Sequence, residues 1–319
     1  MTEPKISRRS VIKAATAGAL VPSLVATADA QVPIMGKKRV LRIAHLTDIH
    51  VQPERQAALG MEACLEHLQS HRTKPNMIVM GGDLVMDSLD ADRSRVLDQW
   101  EIYKRVLKAN NGLPVEACIG NHDVWGWGNR QKYSSESGFG KRMAMDQLEL
   151  SRPYRSFDKA GWHFILLDST HPGRGNGYTA KLDPEQFEWL KDDLERVPAS
   201  RPIIVFSHIP ILSVCAYFHG MNEKMGNWAV PGAWMHIDAR AIKDLFRRYA
   251  NIKLCVSGHI HLTDRIKYNG ISYYCNGAVS AGWWGGPFQE CHNGYGLIDL
   301  YEDGFYDNRY VSFDWRPRP

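Results

Sequence analysis

Residues 77–83 read Met77-Ile78-Val79-Met80-Gly81-Gly82-Asp83: four apolar residues, two glycines and a carboxylate. A short apolar run bounded by glycine reads as a strand buried on both faces. The small glycines allow a close backbone turn before the carboxylate. The same grammar recurs in both directions. Residues 40–46 form an apolar run that ends at Thr47-Asp48-Ile49-His50, and residues 115–119 one that ends at Gly120-Asn121-His122-Asp123. Residues 203–206 deliver Ser207-His208, and residues 254–256 deliver Gly258-His259-Ile260-His261. Histidine, aspartate and asparagine therefore follow strand ends, where open α/β sheets put their chemistry.

Helical patterns fill the gaps. Residues 54–71 carry Met61, Leu65 and Leu68 at helical spacing, and residues 92–109 read as a second helix. This β-α-β-α-β order predicts a mainly parallel sheet with covering helices. Residues 124–153 form a long insertion rich in glycine, serine and aromatics, and residues 162–167 read as a strand. Asp183-Pro184-Glu185-Gln186 is a helix start: Asp as cap, Pro first, Gln three after the cap. Residues 237–249 read as another helix. In the tail, residues 265–268, 271–275, 296–301 and 305–313 alternate with turns and predict a second sheet of mixed or antiparallel strands. One domain of two stacked sheets accounts for the whole pattern.

Composition sets bounds on function. With 319 residues, 44% of them hydrophobic, the chain can bury a sizeable core; 23% charged residues argue against intrinsic disorder. The net charge of +4 includes Lys5, Arg8, Arg9 and Lys13 against Glu3 and Asp29; without that segment it falls by two, to +2. So small a surplus gives no case for a stable nucleic-acid partner. None of the six cysteines sits in a Cys-x-x-Cys pair, which argues against a zinc knuckle; Cys118, Cys255 and Cys275 lie in apolar runs and read as small buried hydrophobes. A Cys275–Cys291 disulfide stays open as an alternative.

The first residues read as a targeting signal. Ser7-Arg8-Arg9-Ser10-Val11-Ile12-Lys13 precedes a modest apolar stretch, residues 14–25, and then Ala28-Asp29-Ala30, a small-x-small cleavage site. The segment resembles a bacterial twin-arginine export signal, with Val11 and Ile12 where that pattern prefers Phe and Leu. The apolar stretch falls short of the roughly 20 residues of a spanning helix, and Pro22 interrupts it. The expected layout is a signal at residues 1–30, a linker at 31–38 and one catalytic domain at 39–319. The resemblance implies the twin-arginine translocation machinery as a partner, folding and metal loading before export, and a periplasmic or secreted product with no transmembrane segment.

The ordered set Asp48-x-His50, Gly82-Asp83, Gly120-Asn121-His122-Asp123, His208 and Gly258-His259-x-His261 resembles the calcineurin-like metallophosphoesterase superfamily. Each element alone is common; five in this order, each after an apolar run, are specific. The fold this implies is α/β: a four-layer α/β/β/α sandwich of two mixed sheets flanked by helices, with a binuclear metal site at strand ends. The resemblance assigns Asp48, His50 and His261 to one metal, Asn121, His208 and His259 to the other, and Asp83 to both. A carboxylate has two oxygens to share, which suits Asp83 to bridging. A pair of metals about 3.5–4 Å apart can clamp the attacking and departing oxygens of a phosphoryl transfer. The implied nucleophile is a hydroxide shared by the metals, attacking in line. The implied general acid is His122, the motif histidine outside the ligand count. Iron, manganese and zinc all suit these donors. Asp123 could orient His122 or cap the segment that follows it.

The departures narrow the substrate. Purple acid phosphatases place a tyrosine three residues after the Gly-Asp aspartate, where Met86 stands here, and lack the histidine that is His50. Protein Ser/Thr phosphatases carry an arginine before Gly-Asn-His, where Ile119 stands. The nearest pattern is the bacterial cyclic-nucleotide phosphodiesterase-like branch, so the expected substrate is a small phosphodiester or phosphomonoester. The alternatives are a non-catalytic metal-binding or scaffold protein and a nuclease on the same fold. Trp125 and Trp127 follow the Asn121-His122 motif and are the expected substrate-stacking residues; Trp228, Trp234, Trp283 and Trp284 lie in other loops near predicted strand ends. They could equally pack under long loops. His219, His236 and His292, in irregular segments, could reach substrate.

Overall fold

The computed structural model describes residues 36–316, so the expected signal at 1–30 and residues 31–35 of the linker lie outside the described residues. The first half runs β1 (Arg39–Leu46), α1 (Ala57–Ser70), β2 (Met77–Met80), α2 (Arg93–Asn110) and β3 (Val115–Ala117). The insertion that follows holds two short helices, α3 (Arg130–Tyr133) and α4 (Arg142–Gln147). Next come β4 (Arg155–Lys159), β5 (Trp162–Leu166), the small hairpin β6 (Thr170–Pro172) and β7 (Tyr178–Ala180), α5 (Pro184–Arg196) and β8 (Ile203–Phe206). A second small hairpin, β9 (Glu223–Lys224) and β10 (Asn227–Trp228), precedes α6 (Ala239–Phe246). The chain closes with β11 (Ile252–Ser257), β12 (Asp264–Tyr268), β13 (Ile271–Cys275), β14 (Gly294–Tyr301) and β15 (Tyr306–Ser312).

Two mixed sheets result, ordered β15-β14-β1-β2-β3 and β12-β13-β11-β8-β5-β4. Strands β1, β2 and β3 of the first sheet and β5, β8, β11 and β13 of the second are parallel; antiparallel β14 and β15 extend one side of the first sheet, and antiparallel β4 and β12 close the second. Period-two alternation sorts the side chains into layers. Leu41 and Ile43 of β1 meet Phe164, Phe206, Leu254 and Val256 of the other sheet in a shared core. Ala44 and Leu46, from the opposite face of β1, pack with Met61, Leu65 and Trp100 of α1 and α2. On the far side, Ile203 and Val205 pack with Leu190, Leu194, Ile242 and Phe246 of α5 and α6. The four-layer α/β/β/α sandwich expected from the sequence is thus the observed architecture. The cap of α5 is also as read: Asp183 Oδ1 accepts the Gln186 N–H at 2.7 Å.

Two readings need correction. The tail does not build the second sheet alone. Only β12 and β13 join it, whereas β14 runs antiparallel to β1 with His45 opposite Gly296. Alternation shows that a strand has two faces but does not name its partner. Helix α1 starts three residues late because Arg55 and Gln56 both take left-handed backbone, φ 53°, which an α-helix cannot include. The Cys275–Cys291 pairing, left open by the sequence, is not formed: among the described residues all six cysteines are free and buried. No helix among them is long and apolar enough to cross a membrane.

A buried ion pair fastens β14 to β1. The Arg42 guanidinium donates from Nε and Nη2 to the two Asp299 oxygens, each at 2.6 Å, with both side chains 4% exposed. Its Nη1 donates to Thr73 O at 2.9 Å. Removing one partner strands the other charge in the interior, at about 3–5 kcal/mol. Asp299→Ala is therefore expected to lose on the order of 3 kcal/mol in urea denaturation. A loss below about 1 kcal/mol would mean that strand pairing alone carries this seam.

Candidate metal centre

All seven residues that the sequence singles out as donors converge. They occupy the loops after β1, β2, β3, β8 and β11. Six are at most 1% exposed, and His259 is 9% exposed. Three groups have ligand atoms within 4.8 Å of one another: Asp48, His50 and His261 in the first, Asp83, His208 and His259 in the second, and His50, Asp83 and His122 linking the two. Asp83 stands between them, with Oδ2 3.8 Å from His50 Nε2 and 3.2 Å from His208 Nε2. Asn121 Oδ1 lies 3.1 Å from His208 Nε2 and so joins the second group. His122 is half-buried beside His50, ring centroids 4.7 Å apart and perpendicular.

The backbone carries a second mark of this site. Asp48, His50, Asp83, His259 and His261 all have positive φ, between 48° and 73°. Left-handed backbone costs a non-glycine residue roughly 1–2 kcal/mol and persists only where the surroundings impose it. The glycines beside these residues are crowded. A Cβ on Gly120 would fall 2.1 Å from Asp83 Oδ1, and one on Gly258 2.4 Å from Asp48 Oδ2. The Gly-Asp and Gly-Asn-His motifs are therefore two loops pressed backbone to carboxylate.

Backbone carbonyls aim the imidazoles. Nδ1–H of His208 donates to Gly81 O at 2.9 Å and that of His261 to Ala281 O at 2.6 Å, which turns Nε2 of each inward. His259 is reversed: Nε2–H donates to Ala233 O at 3.0 Å and Nδ1 faces the site, 3.2 Å from His208 Nε2. His122 donates Nδ1–H to Met86 O, which leaves its Nε2 free. Such outer partners fix tautomer and ring orientation around metals.

The protein groups alone do not satisfy one another. Nε2 atoms of His50 and His261 face each other at 3.0 Å, and the buried Asp48 Oδ1 has no hydrogen-bond partner. Burial holds the His50 imidazole well below its ordinary range, with the His122 charge adding to the effect. His259 is lowered to about 3, by burial and then by His208. His208 goes the other way: burial opposes its protonation, but the Asp83 carboxylate outweighs burial and pushes it up to about 9. The neutral His50 and His259 imidazoles and the unpartnered Asp48 oxygen, in a buried site, are what a cation would satisfy. The nitrogen and oxygen donors, with Asp83 shared, fit two metal ions of the iron, manganese or zinc type.

Asp123 takes neither of the roles open to it in the sequence. Its carboxylate accepts four backbone N–H groups: Asp83 at 2.9 Å, Leu84 at 2.8 Å, Val85 at 3.3 Å and Gly120 at 2.8 Å. It ties the loop after β2 to the loop after β3. Burial and the adjacent Asp83 charge push its carboxyl up to about 7, against these donors.

The stacking role expected of Trp125 and Trp127 does not fit their surroundings. Trp125 is fully buried, packs on Tyr133 at 5.2 Å and donates Nε1–H to Ala91 O. Trp127 is 6% exposed, with Arg130 and Lys141 over its ring. Both belong to the core of the insertion. Trp283 is the tryptophan that reaches the site, 4.5 Å from His261 and 6.0 Å from His50 between ring centroids. Spacing from a motif suggested the first pair; nothing local marked the third, which comes from a loop after β13.

Asp123→Asn tests the tie. An amide oxygen can keep the Leu84 and Val85 bonds, but its NH2 then faces the Asp83 and Gly120 N–H groups. The expected loss is on the order of 3 kcal/mol of stability, with lower metal content by elemental analysis. Unchanged values for both would show that the two loops hold each other without it.

Known proteins resemble this chain in sequence and in fold. The chain is 26% identical over 293 residues to a 3',5'-cyclic-nucleotide phosphodiesterase of Nostoc sp., a match that covers 85% of this chain and 91% of that one. It is 22% identical to a 3',5'-cyclic adenosine monophosphate phosphodiesterase of Haemophilus influenzae, over 73% of this chain and 74% of that one. Among solved structures, a dimetal phosphatase of Danio rerio shares the fold: TM-score 0.58, 14% identity, 87% of this chain and 100% of that one. The family described as calcineurin-like phosphoesterase matches residues 41–262, which span every donor above. The chain belongs to that family of metal-dependent phosphoester hydrolases.

Proposed function

We propose that this protein hydrolyses a small phosphodiester of the cyclic-nucleotide kind, with His122 as proton donor to the leaving group. The observation that carries the reading is the contrast between eight neighbouring side chains. Seven are buried donors turned toward one another; the eighth, His122, is half-buried with Nε2 unengaged. Asp48, His50 and His261 would hold one metal and Asn121, His208 and His259 the other, with Asp83 between. Metals bound there would supply Lewis-acid activation of water and neutralise phosphoryl charge.

The chain's own residues do the rest. The Met86 carbonyl holds the His122 ring, and the Asp83 carboxylate accepts the His122 backbone N–H at 2.7 Å, so ring and backbone are both fixed. A fixed imidazole near the leaving oxygen can deliver a proton as the P–O bond breaks. The named activities of the Nostoc and Haemophilus relatives support a cyclic diester. Met86 and Ile119 support it too, since neither the purple nor the protein phosphatase pattern is present. The scaffold alternative is weakened because no donor is missing. The nuclease alternative is weakened by the mature charge near +2.

We also propose export by the twin-arginine route, supported by residues 7–30. N-terminal sequencing of the exported protein is expected to begin near Gln31; an intact start would overturn this part.

His122→Ala is expected to lower kcat about 10²–10⁴-fold on 3',5'-cyclic AMP while metal content stays full. On bis(p-nitrophenyl) phosphate, whose leaving group needs no proton, the loss should be much smaller. Equal losses on both would remove the proton-donor role. Asp83→Ala is expected to lose metal and activity together, and full retention of both would end the metallophosphoesterase reading.

A further inference from the structure

We propose that Trp283, backed by Phe288, is the platform on which the flat leaving-group side of the substrate stacks, so that these two residues set selectivity for a nucleobase-bearing diester. This rests on the phosphodiesterase reading above. Trp283 is partly exposed, and its ring lies against two donors of one metal group, His261 and His50. Phe288 stands edge-on to it at 5.5 Å and 5.8 Å from His261. The aromatic surface continues into a second loop: His219 lies 5.5 Å from Phe288, and Trp234 4.4 Å from His219. These rings meet at steep angles, 81° for Trp283 with Phe288 and 85° for His219 with Trp234, so the wall is faceted and Trp283 keeps its own face. A fixed, partly exposed indole face suits a planar base better than an acyl chain, which has no π face.

The loop that presents Trp283 is built to hold it still. Ala281, Trp283 and Trp284 all have positive φ, 48°, 53° and 66°. Such backbone persists only when its surroundings fix it, and the fixings are present. Trp284 is 1% exposed, donates Nε1–H to Ile49 O at 2.8 Å and presses on α1 at Gly60, where a Cβ would lie 2.2 Å from its ring. Ser280 Oγ donates to Asp48 O at 2.7 Å, and Arg55 Nη1 to Trp283 O at 3.1 Å. One tryptophan is thus the anchor and its neighbour the exposed face. A side chain held this way loses little freedom when a ligand stacks on it.

The test uses metal-loaded protein and two substrates with the same reacting group: 3',5'-cyclic AMP and the 3',5'-cyclic phosphate of methyl riboside, which has no base. The quantity read is the ratio of their kcat/KM values. The unmutated protein is expected to favour cyclic AMP. Trp283→Ala should cut the ratio about ten-fold or more, mainly through KM for cyclic AMP, and Trp283→Phe should keep it within about three-fold. Phe288→Ala, in a residue that does not anchor the loop, should move the ratio in the same direction and serves if Trp283→Ala fails to fold. Calorimetric affinity for AMP should fall in parallel. A structural role would lower both substrates alike; an unchanged ratio in both alanine variants overturns the proposal. So does an unmutated protein that cleaves both substrates equally, and that result leaves the phosphodiesterase reading standing. Cleavage of neither by protein shown to carry two metals removes that reading itself.

Discussion

Four backbone N–H groups converge on the Asp123 carboxylate, three from the loop after β2 and one from the loop after β3. Little else in the site can be placed without that contact. It sets the height of Asp83, which must stand between two groups of donors. It presses Gly120 against Asp83 so closely that no side chain fits there. It also starts the turn on which Asn121 and His122 are displayed. The sheets supply direction, since parallel strands deliver all five loops to one edge. The carboxylate supplies register, at the tolerance that ligation and proton transfer require.

Much of this was legible in the chain because two codes overlapped. Apolar runs located β1, β2, β3, β8 and β11, and the residues after each run were the donors the structure brings together. Strand ends and metal-ligand chemistry are both local signals, so both survive in a linear reading. Partner choice is not local. Nothing in residues 294–312 says that they lie beside β1 rather than β13; that follows from the Arg42–Asp299 pair and from the apolar face of β14 finding the shared core. Asp123 was ambiguous for the same reason, since its partners come from forty residues away as well as from its own turn. The tryptophans were the sharpest failure. Trp125 and Trp127 were close in sequence to a motif, but the insertion folds them inward, while Trp283 comes from far along the chain.

The aromatic wall and the metal group share supports. Ala281 O takes the Nδ1–H of His261, and Ser280 holds the carbonyl of Asp48, so the loop that carries Trp283 also orients two donors. Selectivity and ligation are mechanically joined on this side of the site. On the other side, His259 leans on Ala233 O, one residue before Trp234. Each half of the centre therefore has its own loop, contributing a carbonyl inward and an aromatic ring outward.

The seam between β1 and β14 has a consequence for how the chain is made. Arg42 and Asp299 are 257 positions apart, and β14 lies between β1 and the edge strand β15. A ribosome delivers Asp48, His50, Asp83 and Asn121 long before it delivers the strand that completes their sheet. Until then β1 has an open edge and Arg42 has no counter-charge. Closure of the first sheet is a late, long-range event of the kind that slows folding. The centre consequently takes its final shape only when nearly the whole polypeptide has emerged.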